Sequence, residues 1–211
     1  MEIIFENEDF IAINKPDGML SIPARGTIIS EDSVYSVLKE KYINIYIVHR
    51  LDKETSGLLI FAKNPETHSY LCALFETHNV EKKYIAFVHG IVDGKNGIIN
   101  KRLKEFSSGR VGVNFNGKDS ITEYSVIEKF RNYSLLDIKL LTGRRHQIRV
   151  HLYSIGHPVV GDKLYGNIEV QKKYPRLMLH SYKLGFNYKG EKYSFQSEPD
   201  EDFQNIINSL T

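Results

Sequence analysis

The segment that most restricts the fold is a charged loop that runs directly into an apolar strand. It reads Val48-His49-Arg50-Leu51-Asp52-Lys53-Glu54-Thr55-Ser56-Gly57 and continues as Leu58-Leu59-Ile60-Phe61-Ala62. The apolar run predicts a fully buried strand, and Thr55, Ser56 and Gly57 are expected to form a tight turn before it. A carboxylate fixed in this way can act as a nucleophile or a general base. An isolated R-x-D motif is also typical of a structural Arg–Asp bridge.

Composition indicates a globular protein of a reducing compartment. The 211 residues are 41% hydrophobic and 26% charged, which suffices for one well-cored domain or two closely packed lobes. Without a visible linker or repeat, we expect a single domain over residues 1–211. The lone cysteine, Cys72, excludes an intrachain disulfide. Neither a signal peptide nor a membrane-spanning run is visible, so a cytoplasmic protein is expected.

Charge is unevenly distributed along the chain. The net charge is only +2, but the last fourteen residues hold four acids and no base, so the rest is more basic than that total suggests. Such segregation suits a polyanionic partner, although neutral enzymes can show it by chance. The basic clusters comprise Lys101, Arg102, Lys104 and Arg110, and Arg144, Arg145 and Arg149.

Hydrophobic periodicity predicts a mixture of strands and helices. Residues 93–118 are rich in glycine and bases and are expected to form strand-and-loop excursions at the surface. A helix is predicted from about Arg145 to Ile155, with Arg145 and Arg149 on one face. Other helices are predicted after Asp32 or Ser33, after Asn64-Pro65 and after Pro199; strands are predicted at 3–5, 10–13, 58–62, 81–90, 122–127, 134–141, 177–180 and 193–195.

Four histidines near the motifs raise the alternative of a metal site. They are His49, His146, His151 and His157. Metal-binding histidines usually have acidic or thiol companions at set spacings, as in H-E-x-x-H, and no such pattern occurs. His151 falls on the apolar face of its predicted helix and is expected to be hydrogen-bonded within the core. No metal site is therefore predicted.

Several blocks together resemble the RluA-type pseudouridine synthases. The segment His49-Arg50-Leu51-Asp52-x-x-Thr55-Ser56-Gly57 is similar to that family's active-site signature, and further blocks match in the same order over nearly the whole chain. Ser181 stands where the family usually has alanine, and we expect a catalytic domain without the S4 domain of many relatives. The further blocks begin at Lys83-Tyr84, Thr122-Glu123-Tyr124, Thr142-Gly143-Arg144, Gly156-His157-Pro158, Leu179-His180 and Pro199.

The resemblance implies an α+β fold with a large, mixed, mainly antiparallel sheet, flanking helices and a central catalytic cleft. It implies isomerisation of uridine to pseudouridine in structured RNA, ribosomal or transfer, without a cofactor. Breaking the C1′–N1 bond builds positive character on the sugar, which a carboxylate can stabilise or capture. The protein is expected to bind RNA but no membrane, and to act as a monomer without an obligatory protein partner.

The resemblance also implies roles for individual residues. Asp52 matches the essential aspartate, and the sequence leaves open whether it attacks C1′ or removes the C2′ proton. Arg149 is expected to pair with Asp52, Tyr84 to stack on the extruded uracil, and Arg50 to fill the gap left by the target nucleotide. The expected RNA-binding residues are Arg50, His49, Lys101, Arg102, Lys104, Arg144, Arg145, His146 and Gln147.

Two other classes of function remain open from the sequence. One is a catalytically inactive RNA-binding module of the same fold. Intact Asp52, Tyr84 and Arg149 disfavour it, because an inactive protein would be free to lose them. The other is a metal-dependent nuclease, which the missing ligand pattern disfavours.

Overall fold

Twelve strands and five helices make up the described part of the chain, residues 1–23 and 33–210 of a computed structural model. The mixture of strands and helices predicted from the sequence is confirmed in most segments. In chain order the elements are β1 (Glu2–Glu6), β2 (Phe10–Lys15), α1 (Val34–Lys41), β3 (Tyr46–Ile47), β4 (Ser56–Ala62), α2 (Pro65–Glu76), β5 (Glu81–His89), β6 (Asn96–Asn100), β7 (Leu103–Glu105), β8 (Val111–Val113), β9 (Ile121–Lys129), β10 (Tyr133–Leu140), α3 (Gln147–Ser154), α4 (Ile168–Gln171), β11 (Leu179–Tyr188), β12 (Glu191–Gln196) and α5 (Glu201–Leu210).

The chain divides into two compact units. Unit 1 comprises Met1–Glu81 and Ser181–Glu198, and unit 2 comprises Lys82–His180 and Pro199–Thr211. The prediction of a single domain over residues 1–211 stays a prediction. Asp52 belongs to unit 1, whereas Tyr84 and Arg149 belong to unit 2.

Unit 1 is built around β4, which is buried over its whole length. It lies between β2 and β11 in strand order, and β1 and β12 extend the two sides. Because every residue of β4 is buried, both of its faces are covered, which explains why the Leu58–Ala62 run is continuously apolar rather than alternating. Phe10 is fully buried, and its ring makes edge contacts with Phe186 and Tyr193. Removing a side chain of this size from water stabilises the fold by about 1.5–3 kcal/mol.

Unit 2 contains the antiparallel strand order β5-β10-β9-β6 and a separate pair, β7-β8. The predicted surface excursions of residues 93–118 thus correspond to β6, β7, β8 and their turns. Antiparallel pairing with helices in both units gives an α+β fold, as expected. No helix in the described ranges is long and apolar enough to cross a membrane.

Local capping explains two of the predicted helix starts. Ser33 caps α1 by accepting the N–H of Ser36, while the alternative cap Asp32 lies outside the described residues. Asn64 caps α2 by accepting the N–H of Thr67, and Pro65 occupies the first helical turn, where its missing N–H costs nothing.

The predicted start of α3 is wrong by two residues. The helix begins at Gln147, because His146 adopts a left-handed conformation with φ of 54°. Arg145 therefore lies outside the helix and does not share a helical face with Arg149. The structure also contains β3 and α4 and a longer β11, none of which the periodicity indicated.

Candidate active site

A buried ammonium group donates hydrogen bonds to backbone carbonyl groups around the Asp52 loop. Lys15, at the end of β2, is fully buried, and its Nζ donates hydrogen bonds to three carbonyl oxygens. These belong to Pro16 at 2.8 Å, Met19 at 2.7 Å and Lys53 at 2.9 Å. Hydrogen bonds from a charged donor are stronger than neutral ones. The residue that follows Asp52 is thereby tied to the end of a central strand.

A serine hydroxyl fixes the residue that precedes Asp52. Ser21 Oγ donates to the carbonyl oxygen of Leu51 at 2.8 Å and accepts its N–H at 3.1 Å. The N–H of Thr55 returns to the carbonyl oxygen of Asp52 at 3.2 Å, so the tight turn closes over residues 52–55. The half-buried Asp52 carboxylate is consequently carried by backbone that is held on both sides.

His49 supports this loop from the side of α2. Its ring stacks on Phe75 with a centroid separation of 4.3 Å, and its Nε2 accepts the N–H of Ile60 in β4 at 3.1 Å. The sequence predicted an RNA contact for His49, whereas the structure gives its ring a role in fixing the loop. Arg50, the next residue, is exposed.

Gly57 is required for a reason other than the predicted turn. It lies inside β4 with φ of 114°, and a Cβ there would come within 2.6 Å of the backbone nitrogen of Ser181 in β11. Any larger residue would push two neighbouring strands apart. The turn itself ends before Gly57, so the expectation that this glycine serves the turn is wrong.

Tyr84 and Lys82 point to the same side of β5 in unit 2, because side chains two residues apart share a face of a strand. Tyr84 is 8% exposed and pairs with Ile138 of β10. Lys82 is buried as well, and burial, with a smaller contribution from the charge of Arg144, lowers the pKa of its ammonium group. Sequence analysis did not single out Lys82; its place two residues before Tyr84 in an alternating strand was the available signal.

Arg149 has a carboxylate partner that the sequence did not indicate. Its Nε donates to Oδ2 of Asp162 at 2.8 Å, and its Nη2 donates to Oδ1 at 2.7 Å. Oδ1 also accepts the N–H groups of Leu164 and Tyr165, both at 3.0 Å. The pairing of Arg149 with Asp52 that the resemblance implies stays a prediction.

Tyr165 links this ion pair to β8. Its ring is close to two guanidinium groups, with Arg149 at 5.4 Å and Arg110 at 5.5 Å from the centroid. Its hydroxyl accepts the N–H of Val111 and pairs with Nδ1 of His146 at 2.8 Å. Burial is the main cause of the raised pKa of Tyr165, so the hydroxyl stays protonated at neutral pH.

Gln147 organises the turn that precedes α3. The side chain is 2% exposed, and its Oε1 accepts from the hydroxyl of Thr142 and the N–H of Arg144. Its Nε2 donates to the carbonyl oxygen of Ile121 and to Oγ1 of Thr122. All four hydrogen-bonding positions of the amide are therefore used within the protein. An RNA contact by this side chain would require these bonds to break.

His151 is hydrogen-bonded in the core, as expected. It is fully buried, with Nδ1 2.9 Å from Oγ1 of Thr122 and Nε2 2.9 Å from the carbonyl oxygen of Lys101. Burial lowers its pKa most strongly, so the ring is neutral at pH 7. The Lys101 ammonium donates to the carbonyl oxygen of Ser154 at 3.0 Å, at the last residue of α3.

Several predicted RNA-binding residues surround one groove of about 330 Å³ in unit 2, named here the basic groove. Arg145 pairs with Glu105, which also lines the groove, and Arg102 is bound nearby to Asp119 at 2.8 Å. Lys118 had not been predicted. The charged residues that line the basic groove are Lys104, Glu105, Lys118, Arg144 and Arg145.

The four histidines do not form a cluster of metal ligands in the described ranges, where no group of three or more His, Cys, Asp or Glu side chains is arranged to hold a metal ion. His157, for example, directs Nδ1 to the carbonyl oxygen of His89 at 2.9 Å. Metal-free catalysis stays a prediction.

Comparison with known proteins gives the family. Residues 9–154 match the family model described as RNA pseudouridylate synthase. An uncharacterized RNA pseudouridine synthase of Aquifex aeolicus is 37% identical, over 100% of this chain and 73% of that protein. The dual-specificity RNA pseudouridine synthase RluA of Vibrio cholerae is 38% identical, over 88% of this chain and 77% of that protein.

Solved structures agree with this assignment. The human RNA pseudouridylate synthase domain containing 1 superposes with a TM-score of 0.82 at 25% identity, covering 99% of this chain and 94% of that one. The chain therefore belongs to the RNA pseudouridylate synthase family, and its relatives make it a member of the RluA type. It is an isomerase, an RNA pseudouridine synthase.

Proposed function

We propose that the protein isomerises specific uridines of structured ribosomal or transfer RNA, with Asp52 as the essential catalytic residue. The observation that carries the proposal is the held loop: Asp52 is half-buried and flanked by Lys53 and Leu51, whose backbone atoms are bound by Lys15 and Ser21. A carboxylate that must meet a sugar carbon gains from such preorganisation, because misplacement by 1 Å can cost a hundredfold in rate.

The reaction conserves every atom of the substrate. The C1′–N1 bond breaks, the uracil turns over, C1′ bonds to C5, and the proton on C5 leaves while N1 gains one. Asp52 acts at the sugar, either by capturing C1′ or by removing the C2′ proton. Because substrate and product have the same composition, the chemistry needs no redox partner or nucleotide co-substrate.

The other residues serve this chemistry by positioning the nucleotide. Tyr84 offers a ring on which the extruded uracil stacks, and exposed Arg50 occupies the place that the nucleotide leaves. Arg149 is held by Asp162, and its pairing with Asp52 stays what the resemblance implies. The name of one relative, the ribosomal large subunit pseudouridine synthase D of Borreliella burgdorferi, supports ribosomal RNA as the substrate. Transfer RNA is the other substrate that the resemblance implies.

The proposal includes action in the cytoplasm, as a monomer, without an obligatory protein partner. A single cysteine and an RNA substrate both suit that compartment. The competing proposal is an RNA-binding module that has lost catalysis, and it predicts binding without conversion.

The test is an Asp52→Asn variant assayed under single-turnover conditions on RNA that lacks the modification. The amide keeps the shape of the carboxylate but loses its charge, so we expect RNA binding to persist while pseudouridine formation stops. Wild-type protein is assayed beside it in excess chelator, and strand cleavage is monitored in both. A variant that still converts uridine would make Asp52 structural, and a wild-type protein that binds without converting would favour the inactive module.

A further inference from the structure

Phe115 is an aromatic residue whose side chain is exposed to solvent. It is 87% exposed, in the turn between β8 and β9. The turn is closed by two hydrogen bonds, from Gly117 N–H to the carbonyl oxygen of Asn114 and from Asn116 N–H to Oδ1 of Asn114, both at 2.9 Å. The asparagine side chain thus shapes the turn that presents the ring.

The turn is anchored to β7 and leaves the backbone at Phe115 little freedom. Lys118 and Leu103 exchange backbone hydrogen bonds at 2.8 and 3.0 Å. Gly117 packs so closely on Leu103 that a Cβ would come within 2.6 Å of its carbonyl oxygen. The carbonyl oxygen of Phe115 accepts from Arg102. The exposed ring is therefore carried by ordered backbone rather than by a loose loop.

The basic groove begins beside this turn. Asn116, Gly117 and Lys118 line it, so the residues that follow Phe115 form part of its wall. Its cations outnumber the acid Glu105, which is already paired with Arg145. A surplus of positive charge at such a wall suits a phosphate group.

We propose that the turn and the basic groove bind one unpaired nucleotide of the substrate RNA. Its base stacks on Phe115, and its phosphate lies in the groove near Lys104 and Lys118. The inference rests on the proposed function for RNA as the substrate and adds that the bound RNA offers a single-stranded base here. Stacking on an aromatic ring needs an accessible base face but no particular base. The subsite is therefore expected to accept any of the four bases.

The chain contains no tryptophan, which permits a direct optical test. In Phe115→Trp, the indole is the sole tryptophan, and a base that stacks on it quenches its fluorescence. We expect single-stranded oligouridylate to quench this emission. Inorganic polyphosphate, which carries the charge but no bases, should bind the groove without comparable quenching. Equal quenching by both polymers, or quenching by neither, would overturn the proposal.

Affinity gives the second measurement. Removing the ring in Phe115→Ala should weaken oligouridylate binding roughly five- to a hundredfold, the range found for the loss of one stacked base. The matched control is Ile98→Ala, which removes another exposed apolar side chain, 66% exposed on β6, and should leave the affinity unchanged. Wild-type affinity in Phe115→Ala, with its fold verified by thermal unfolding, would also overturn the proposal.

These readouts separate the subsite from the reaction. Quenching and affinity report the binding of oligouridylate, whereas the proposed function is tested by conversion in the Asp52→Asn experiment. A wild-type protein that does not convert uridine, with quenching intact in Phe115→Trp, would reject the proposed reaction and keep the subsite. Conversion without quenching would do the reverse.

Discussion

Arg149 and Asp162 form a bidentate ion pair that is almost completely withdrawn from solvent. The two side chains are 4% and 0% exposed, and their hydrogen bonds measure 2.8 and 2.7 Å. Because Asp162 also accepts two backbone N–H groups from its own loop, the direction of the guanidinium group is set by that loop. The orientation of a proposed catalytic residue thus depends on a carboxylate thirteen positions away in the chain.

Asp162→Asn should destabilise the protein and slow the reaction. The asparagine oxygen can still accept the two backbone N–H groups, but Arg149 keeps a buried charge without its bidentate partner. Breaking a buried pair in this way typically costs about 3–5 kcal/mol. Chemical denaturation measures the free energy of unfolding, and single-turnover conversion measures the effect on the reaction.

The double variant Arg149→Met/Asp162→Asn is the control for that prediction. It removes the stranded charge, so most of the lost stability should return, while conversion should not. If Asp162→Asn alone were as stable as the wild type, the pair would contribute little to the fold. Recovered conversion in the double variant would remove Arg149 from the proposed mechanism.

Salt dependence tests the basic groove. The sequence pointed to Lys101, Arg102 and Lys104, but the first two bind protein groups, at Ser154 and Asp119. We therefore expect Lys104→Ala/Lys118→Ala to reduce the slope of log affinity against log salt by about 1.4 to 1.8, since each phosphate contact contributes about 0.7 to 0.9. The measurement is a titration of transfer RNA at several salt concentrations.

A lysine pair elsewhere in unit 2 serves as the matched control. Lys172→Ala/Lys173→Ala removes the same charge from the exposed segment after α4 and should leave the slope nearly unchanged. Equal losses in the two double variants would indicate a general effect of net charge. No loss in either would place the RNA away from the groove.

Stability should fall as the pH drops below about 6.5, partly through His151. Burial lowers its pKa in the folded state, so the unfolded chain binds the proton more readily. Its contribution is fully present above the unfolded pKa of about 6.5 and is lost as the pH falls through the lowered folded value. Each unit of lowering corresponds to about 1.4 kcal/mol. Urea unfolding of the wild type and of His151→Gln between pH 5 and 8 measures the difference.

His89 belongs in the same experiment because burial lowers its pKa too, and its Nε2 faces Gln171 at 3.3 Å. His89→Gln should therefore also reduce the dependence of the free energy of unfolding on pH. An unchanged slope in His151→Gln would contradict the prediction.

Local patterns were enough to predict most of the elements and the burial of the strand that follows the Asp52 loop. The apolar run after Gly57 indicated a buried strand, and Asn64-Pro65 indicated the start of a helix, as the structure has them. The α+β class needs little more than these periodicities. The family motifs then singled out Asp52, Tyr84 and Arg149, whose roles stay proposals.

What the sequence did not reveal depends on contacts between distant segments. Asp162 is an ordinary acid in a loop until α3 brings Arg149 to it, and Tyr165 is an ordinary core residue until Arg110, the residue before β8, contacts its ring. The early start predicted for α3 failed for a similar reason, since the side chain of Gln147 reaches back to Thr142 and Arg144 and holds the preceding turn outside the helix.

Lys15 has a consequence for how the Asp52 loop responds to its surroundings. Three carbonyl oxygens around one cation are the arrangement by which proteins often hold a monovalent metal ion, but here the cation is the end of a side chain. A covalently attached cation cannot exchange with the medium or be diluted away. The group that holds these three carbonyl oxygens together is therefore part of the chain itself.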